Sequence, residues 1–165
     1  MAETIHGLSI EVLIKGYVVA ADGIRQSITI PLTQQFSEGS GTDQLGQWWY
    51  DETRSLDTTS EDLDLNGTLT PVVDGTTLGL NNVKVLVIKN RDVDAGDTLL
   101  LKQGASDSAT TILGGTGPTL TIGPGGFLVL VNPQGYALTA GSADTIAMQA
   151  TDTSTYQIFV AGDNA

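Results

Sequence analysis

The chain contains no cysteine, which excludes both a disulfide framework and thiol chemistry. Cations are almost as scarce. Seven Lys and Arg stand against nineteen Asp and Glu, leaving a formal charge of −12. Phosphate backbones and anionic lipid surfaces are held by Lys and Arg, so neither a nucleic-acid nor a membrane partner is expected. There is one histidine, His6, close to the start of the chain, and no serine sits in a G-x-S-x-G elbow. A Ser-His-Asp or Cys-His catalytic set is therefore not expected. No apolar run approaches eighteen residues, and Met1 to His6 lacks a basic segment followed by an apolar core. The expectation is synthesis and assembly in the cytoplasm, without export by the general route. Helical periodicity is missing too: no segment keeps an i, i+3, i+4, i+7 apolar stripe over three turns.

What remains is the material of β structure. The 20 glycines, with many Thr and Val, divide the chain into short apolar or alternating runs. The last third, Thr119 to Gly162, shows the rhythm best. Its runs are separated by Gly-Pro-Gly-Gly, Asn-Pro-Gln-Gly, Thr-Ala-Gly-Ser and Thr-Asp-Thr-Ser, each read as a chain reversal because Gly supplies positive φ and Pro cannot donate to a ladder. Four strands in about forty residues is the spacing of an antiparallel sandwich or barrel.

Earlier in the chain, Leu8, Ile10, Val12 and Ile14 alternate along one strand, and Ala21-Asp22-Gly23 is a hairpin signal. The return strand begins at Ile24, and Pro31 ends its pairing or places it on an edge. Gln35 to Gly46, rich in Gly and Ser, reads as a flexible loop. It divides an N-terminal hairpin or arm, residues 1–46, from a sandwich domain, residues 47–165. Trp48 and Tyr50 fall on one face of the next strand and Trp49 on the other. One tryptophan belongs to the core, and the other lies under a loop or at a subunit contact. Val83 to Ile88 is the most apolar strand, Thr98 to Lys102 returns antiparallel, and Thr110 to Leu113 reads as a short strand. The count is ten or eleven strands, giving an all-β antiparallel sandwich of jelly-roll or immunoglobulin-like type.

The acidic residues are the remaining source of chemistry. Asp92-Val93-Asp94-Ala95-Gly96-Asp97 begins like a calcium loop, but the third ligand, the sixth-position Gly and the final Glu are replaced by Gly96, Asp97 and Gln103. An acidic hairpin loop is the better reading. Asp57, Glu61, Asp62 and Asp64 form the densest acidic cluster, and paired carboxylates can cleave glycosides. Strand alternation instead puts Asp62 and Asp64 together on a solvated face. Gly114 to Gly117 and Gly123 to Gly126 lack a P-loop lysine and read as turns. Catalytic, cofactor and metal residues are accordingly expected to be absent.

Taken together, the turns and core positions resemble small structural proteins of the head and tail modules of tailed bacteriophages. The shared elements are Trp49 to Arg54, the acid-Leu run Glu61 to Gly67, the strand Val85 to Asn90 and the return strand Thr98 to Gly104. They continue with Pro124 to Val131, Gly135 to Gly141, Ala143 to Met148 and Tyr156 to Val160. The resemblance covers roughly Trp48 to Gly162. It implies a virion component without enzymatic activity or cofactor: a capsid decoration protein or head-spike component that binds the major capsid protein or other virion proteins. It would act as a homo-oligomer, a trimer being favoured. Shell and subunit contacts would use apolar and aromatic side chains, with Tyr17, Phe36, Trp48, Trp49 and Tyr50 as the candidate interface. The alternative is a receptor- or glycan-binding module of a tail tip or fibre, with Trp48 and Trp49 as the sugar platform.

Overall fold

The computed structural model describes residues 7–19, 25–67, 69, 77–103, 110–113 and 119–164. His6, most of 71–79 and most of 104–117 lie outside them. Eleven strands and one short helix follow in order: β1 Leu8–Val19, β2 Arg25–Glu38, β3 Gln44–Leu45, β4 Gln47–Leu56, β5 Ser60–Asp64, β6 Asn82–Asn90, β7 Leu99–Gln103, α1 Thr110–Leu113, β8 Thr119–Ile122, β9 Phe127–Ala137, β10 Thr145–Ala150 and β11 Ser154–Asp163. The sequence reading of 110–113 as a strand is corrected: one helical turn stands there, with Ile112 buried in the core.

Strands β4 to β11 build two four-stranded sheets, ordered β4-β11-β6-β9 and β5-β10-β7-β8. Apart from the β7–β8 pair, each strand's sheet neighbours are distant in sequence, and the chain passes repeatedly between the two layers. This is an antiparallel sandwich with the eight-strand order of a jelly roll, the first of the two arrangements left open by the sequence. Alternation along each strand sends one set of side chains between the sheets. Trp49, Leu63, Leu86, Ile88, Leu101, Ile146, Met148, Tyr156, Ile158 and Val160 meet there in the main core.

Two strands depart from simple alternation, at the same place. Lys84 is left out of both ladders of β6, in which Val83 and Val85 pair with Gly162 and Ala161 of β11. On the other side, Val83 and Val85 pair with Tyr136 and Val131 of β9. Asn132-Pro133-Gln134-Gly135 is therefore a bulge inside β9 and not the chain reversal expected from its composition. Gly135 holds φ +90°, and a Cβ there would lie 2.6 Å from the Asn82 Cβ. Gly162 is tighter still, since a Cβ on it would fall 1.8 Å from the Asn82 carbonyl oxygen. Bulges bend a strand and re-aim its side chains. Here the bend gives β6 a buried lysine beside a second apolar cluster.

The loop after β2 is more tethered than its Gly and Ser content suggests. Lys84 Nζ donates to the carbonyls of Gly41 (2.6 Å) and Gln44 (2.8 Å), and pairs with the Asp163 carboxylate at 2.9 Å. Asn82 Nδ2 donates to the other Asp163 oxygen at 2.8 Å. Both Lys84 and Asp163 are buried. A buried ammonium requires partners on every side, and the loop carbonyls supply two of them.

Candidate interaction surface

The surface that sets this chain apart from a bare sandwich is the β1–β2 hairpin. At about 3.3 Å per residue, the twelve residues of β1 span roughly 40 Å. The hairpin pairs in unbroken register from Leu8↔Phe36 to Val19↔Arg25. Pro31 sits opposite Leu13, and in this stretch β2 has no strand on its other side, since β3 pairs only with Ser37 and Glu38. On that side its missing N–H costs no ladder bond.

Residues directly opposite in an antiparallel pair share a face. One face of the hairpin consequently carries Leu8, Ile10, Val12 and Ile14 from β1 with Ile28, Ile30, Leu32 and Phe36 from β2. At the root this face is occupied. Phe36, only 4% exposed, joins Leu45, Val85 and Ala161 in the second cluster, with Leu8, Ile10, Trp48, Val87, Val131 and Phe159 packed around it. The outer face of the β4-β11-β6-β9 sheet is thus covered by the hairpin root and β3. Beyond the root the covering stops: from Leu13 to Val19 and from Arg25 to Thr33, every described residue is exposed. Seven of the ten large hydrophobic residues exposed among the described residues lie on this tip: Leu13, Ile14, Tyr17, Val19, Ile28, Ile30 and Leu32.

Between root and sheet the surface opens into a cleft. One part, of about 520 Å³, has Ile10, Val12 and Leu32 of the hairpin on one wall and Phe127, Val129 and Val131 of β9 on the other. A second part, of about 370 Å³, reaches Leu8, Tyr50, Val87 and Phe159. Phe127 stands at both, with 68% of its surface in solvent.

The residues singled out from sequence divide among three environments. Tyr17 is 62% exposed on the tip, with the Arg25 guanidinium 5.1 Å from its ring centroid. Tyr50 lines the cleft and accepts a hydrogen bond on its phenol oxygen from Gln157 Nε2. Trp48 is half-buried beside the hairpin root and stacks on Phe159, with ring centroids 6.1 Å apart. Phe36 and Trp49 are buried within the chain, Phe36 under the hairpin and Trp49 between the sheets. Trp48 and Trp49 therefore form no shared platform. Missing from the sequence reading were Phe127, Val129 and Val131. Their signal was the unalternating run Phe127 to Val131, since a sandwich strand apolar on both faces has something covering its outer face.

The acidic residues are used structurally. Glu61 receives Arg54 from β4 through both carboxylate oxygens, and Tyr156 donates its hydroxyl to Glu61 at 3.2 Å. Arg54 also reaches Asp51 at 3.2 Å and lies over the Trp49 ring. The Glu61 hydrogen bonds hold the Arg54 guanidinium firmly charged despite partial burial. Burial, followed by the Glu61 charge, raises the Tyr156 phenol above its ordinary value. This group fastens β4 to β5, the adjacent margins of the two sheets. Asp62 is exposed, and Asp64 accepts the Asn66 N–H at 2.9 Å. In the 92–97 loop the Asp92 carboxylate accepts from the Thr155 N–H and hydroxyl. Asp97 is raised above its ordinary value by desolvation and by its neighbours Asp92, Asp94 and Asp152. Among the described residues no group of three His, Cys, Asp or Glu is placed to hold a metal ion.

No family model, curated protein or solved structure matches this chain.

Proposed function

We propose that this chain is a non-enzymatic assembly protein, a virion structural component of the capsid-decoration or head-spike kind, which binds other virion subunits through its hairpin arm. The observation carrying this reading is the concentration of exposed large hydrophobic residues on the arm tip, seven of the ten found among the described residues. A two-stranded ribbon is marginally stable alone in water, and contiguous exposed apolar surface marks a contact site. The sequence resemblance to tailed-phage structural proteins supports the same conclusion, as does the structural employment of Glu61, Asp64 and Asp92. The sandwich serves as a rigid base whose margins are closed by Arg54 and Glu61. The glycan-binding alternative loses its motivating feature, since Trp49 is internal and Trp48 is stacked on Phe159.

Mass spectrometry of purified particles from the phage that encodes the chain tests the reading. The protein should be present in stoichiometric amount and released together with shell or spike components. Its absence from intact particles would refute the assignment.

A further inference from the structure

We infer that the arm tip of one copy inserts into the arm–body cleft of a second copy, so that the protein assembles with itself by arm exchange. This rests on the assembly role proposed above and names the partner of that surface.

Tip and cleft match in their apolar surfaces. The arm root is apolar on one face only: Ser9, Glu11, Thr33 and Gln35 make up its other face, while Leu8, Ile10 and Phe36 lie against the chain's own sheet. On the tip, Ile14, Ile28 and Ile30 make one face apolar, and the other face mixes Leu13, Tyr17 and Val19 with Lys15, Arg25, Ser27 and Thr29, all exposed. The cleft has two apolar walls, Ile10, Val12 and Leu32 facing Phe127, Val129 and Val131. The tip of a sister arm can lay its isoleucine face against one wall and turn Leu13, Tyr17 and Val19 toward the other.

Tip and body also differ in charge. Residues 13–32 hold two cations, Lys15 and Arg25, and one acid, Asp22, whereas residues 33–165 hold five cations and sixteen acids. Two bodies repel one another, while a tip and a body do not. Arm-to-body contact is thus the approach that the charge distribution favours. Because every copy carries both tip and cleft, the contact can close as a reciprocal pair or a ring.

The test uses the full chain, whose lack of cysteine makes single introduced thiols unambiguous. Native mass spectrometry should give an integer multiple, two or more, of 17.2 kDa. Ile28→Cys protein mixed with Phe127→Cys protein, both solvent-facing positions, should form a mixed tip-to-cleft cross-link with a short thiol reagent. Ile14→Asp with Ile30→Asp should raise the self-dissociation constant roughly a hundredfold by placing charge in an apolar contact. Its thermal midpoint should match that of the parent at a concentration where both are monomers, because both side chains are exposed. A wild-type chain that stays monomeric at its highest soluble concentration would overturn the proposal. So would Ile28-to-Ile28 cross-links formed in place of Ile28-to-Phe127 ones. A monomeric protein found in virions would refute arm exchange alone, and an arm-exchanged oligomer absent from virions would refute only the virion reading.

Discussion

Lys84 is the residue whose loss should be felt most widely outside the main core. In Lys84→Met, the Asp163 carboxylate stays buried with Asn82 as its remaining side-chain donor, and the carbonyls of Gly41 and Gln44 lose theirs. Breaking a buried ion pair from one side costs about 3–5 kcal/mol, because the surviving charge is uncompensated. For a chain of this length, a loss of about 4 kcal/mol lowers the thermal midpoint by roughly 8–16 °C. Thermal and urea unfolding followed by circular dichroism would measure it, and hydrogen exchange should quicken in 39–46 as the loop loses its anchor. Adding Asp163→Leu removes the stranded charge, so the double variant should recover roughly half of the loss. A single-variant cost below about 1 kcal/mol would refute the reasoning, since that is the range of an exposed pair. A double variant no better than the single one would refute it as well.

Three further outcomes follow from particular contacts. Arg54→Ala removes the two-oxygen contact with Glu61, the Asp51 contact and the cover over Trp49, so it should cost about 2–3 kcal/mol in urea unfolding. Arg54→Lys should recover only part of this, because an ammonium cannot make the forked contact. The Tyr156 phenol is held above its ordinary value of 10.0, chiefly by burial and then by Glu61. The unfolded chain therefore releases this proton first: the stability is full below pH 10 and falls above it by about 1.4 kcal/mol per unit. Urea midpoints from pH 9 to 11 should show a shallower decline in Tyr156→Phe. Gly162→Ala drives a methyl into the Asn82 carbonyl, and loss on the order of 3 kcal/mol is expected in the same assay.

Most of the sandwich was legible because its signals are local. Alternation in Glu61 to Leu65, the Gly-Pro-Gly-Gly turn before Phe127 and the opposed faces of Trp48 and Trp49 depend on near neighbours in the chain. The arm hairpin was legible for the same reason. Harder to read was whatever depends on a third layer. Asn-Pro-Gln-Gly reads as a reversal because Pro and Gly usually terminate pairing, yet β9 continues through it once Lys84 bulges on the strand alongside. The 39–46 loop reads as loose because its sequence says nothing of Lys84, some forty residues away, reaching its carbonyls. The alternation of Leu8, Ile10, Val12 and Ile14 reveals a buried face without telling how far along the arm the body reaches. Only the root is covered. For the same reason residue type alone did not tell that Phe36 and Trp49 are internal.

In the proposed arrangement a jelly-roll base carries an arm whose tip makes the contacts. Replacing residues 15–29 by Asn-Gly would shorten the arm while keeping the pairs from Leu8↔Phe36 to Ile14↔Ile30. Native mass spectrometry of the shortened and full-length chains is the most direct comparison. The full-length protein is predicted to run as a closed oligomer and the shortened one as a folded monomer with an unchanged sandwich core. Equal masses for the two would contradict the division, whether both assembled or neither did.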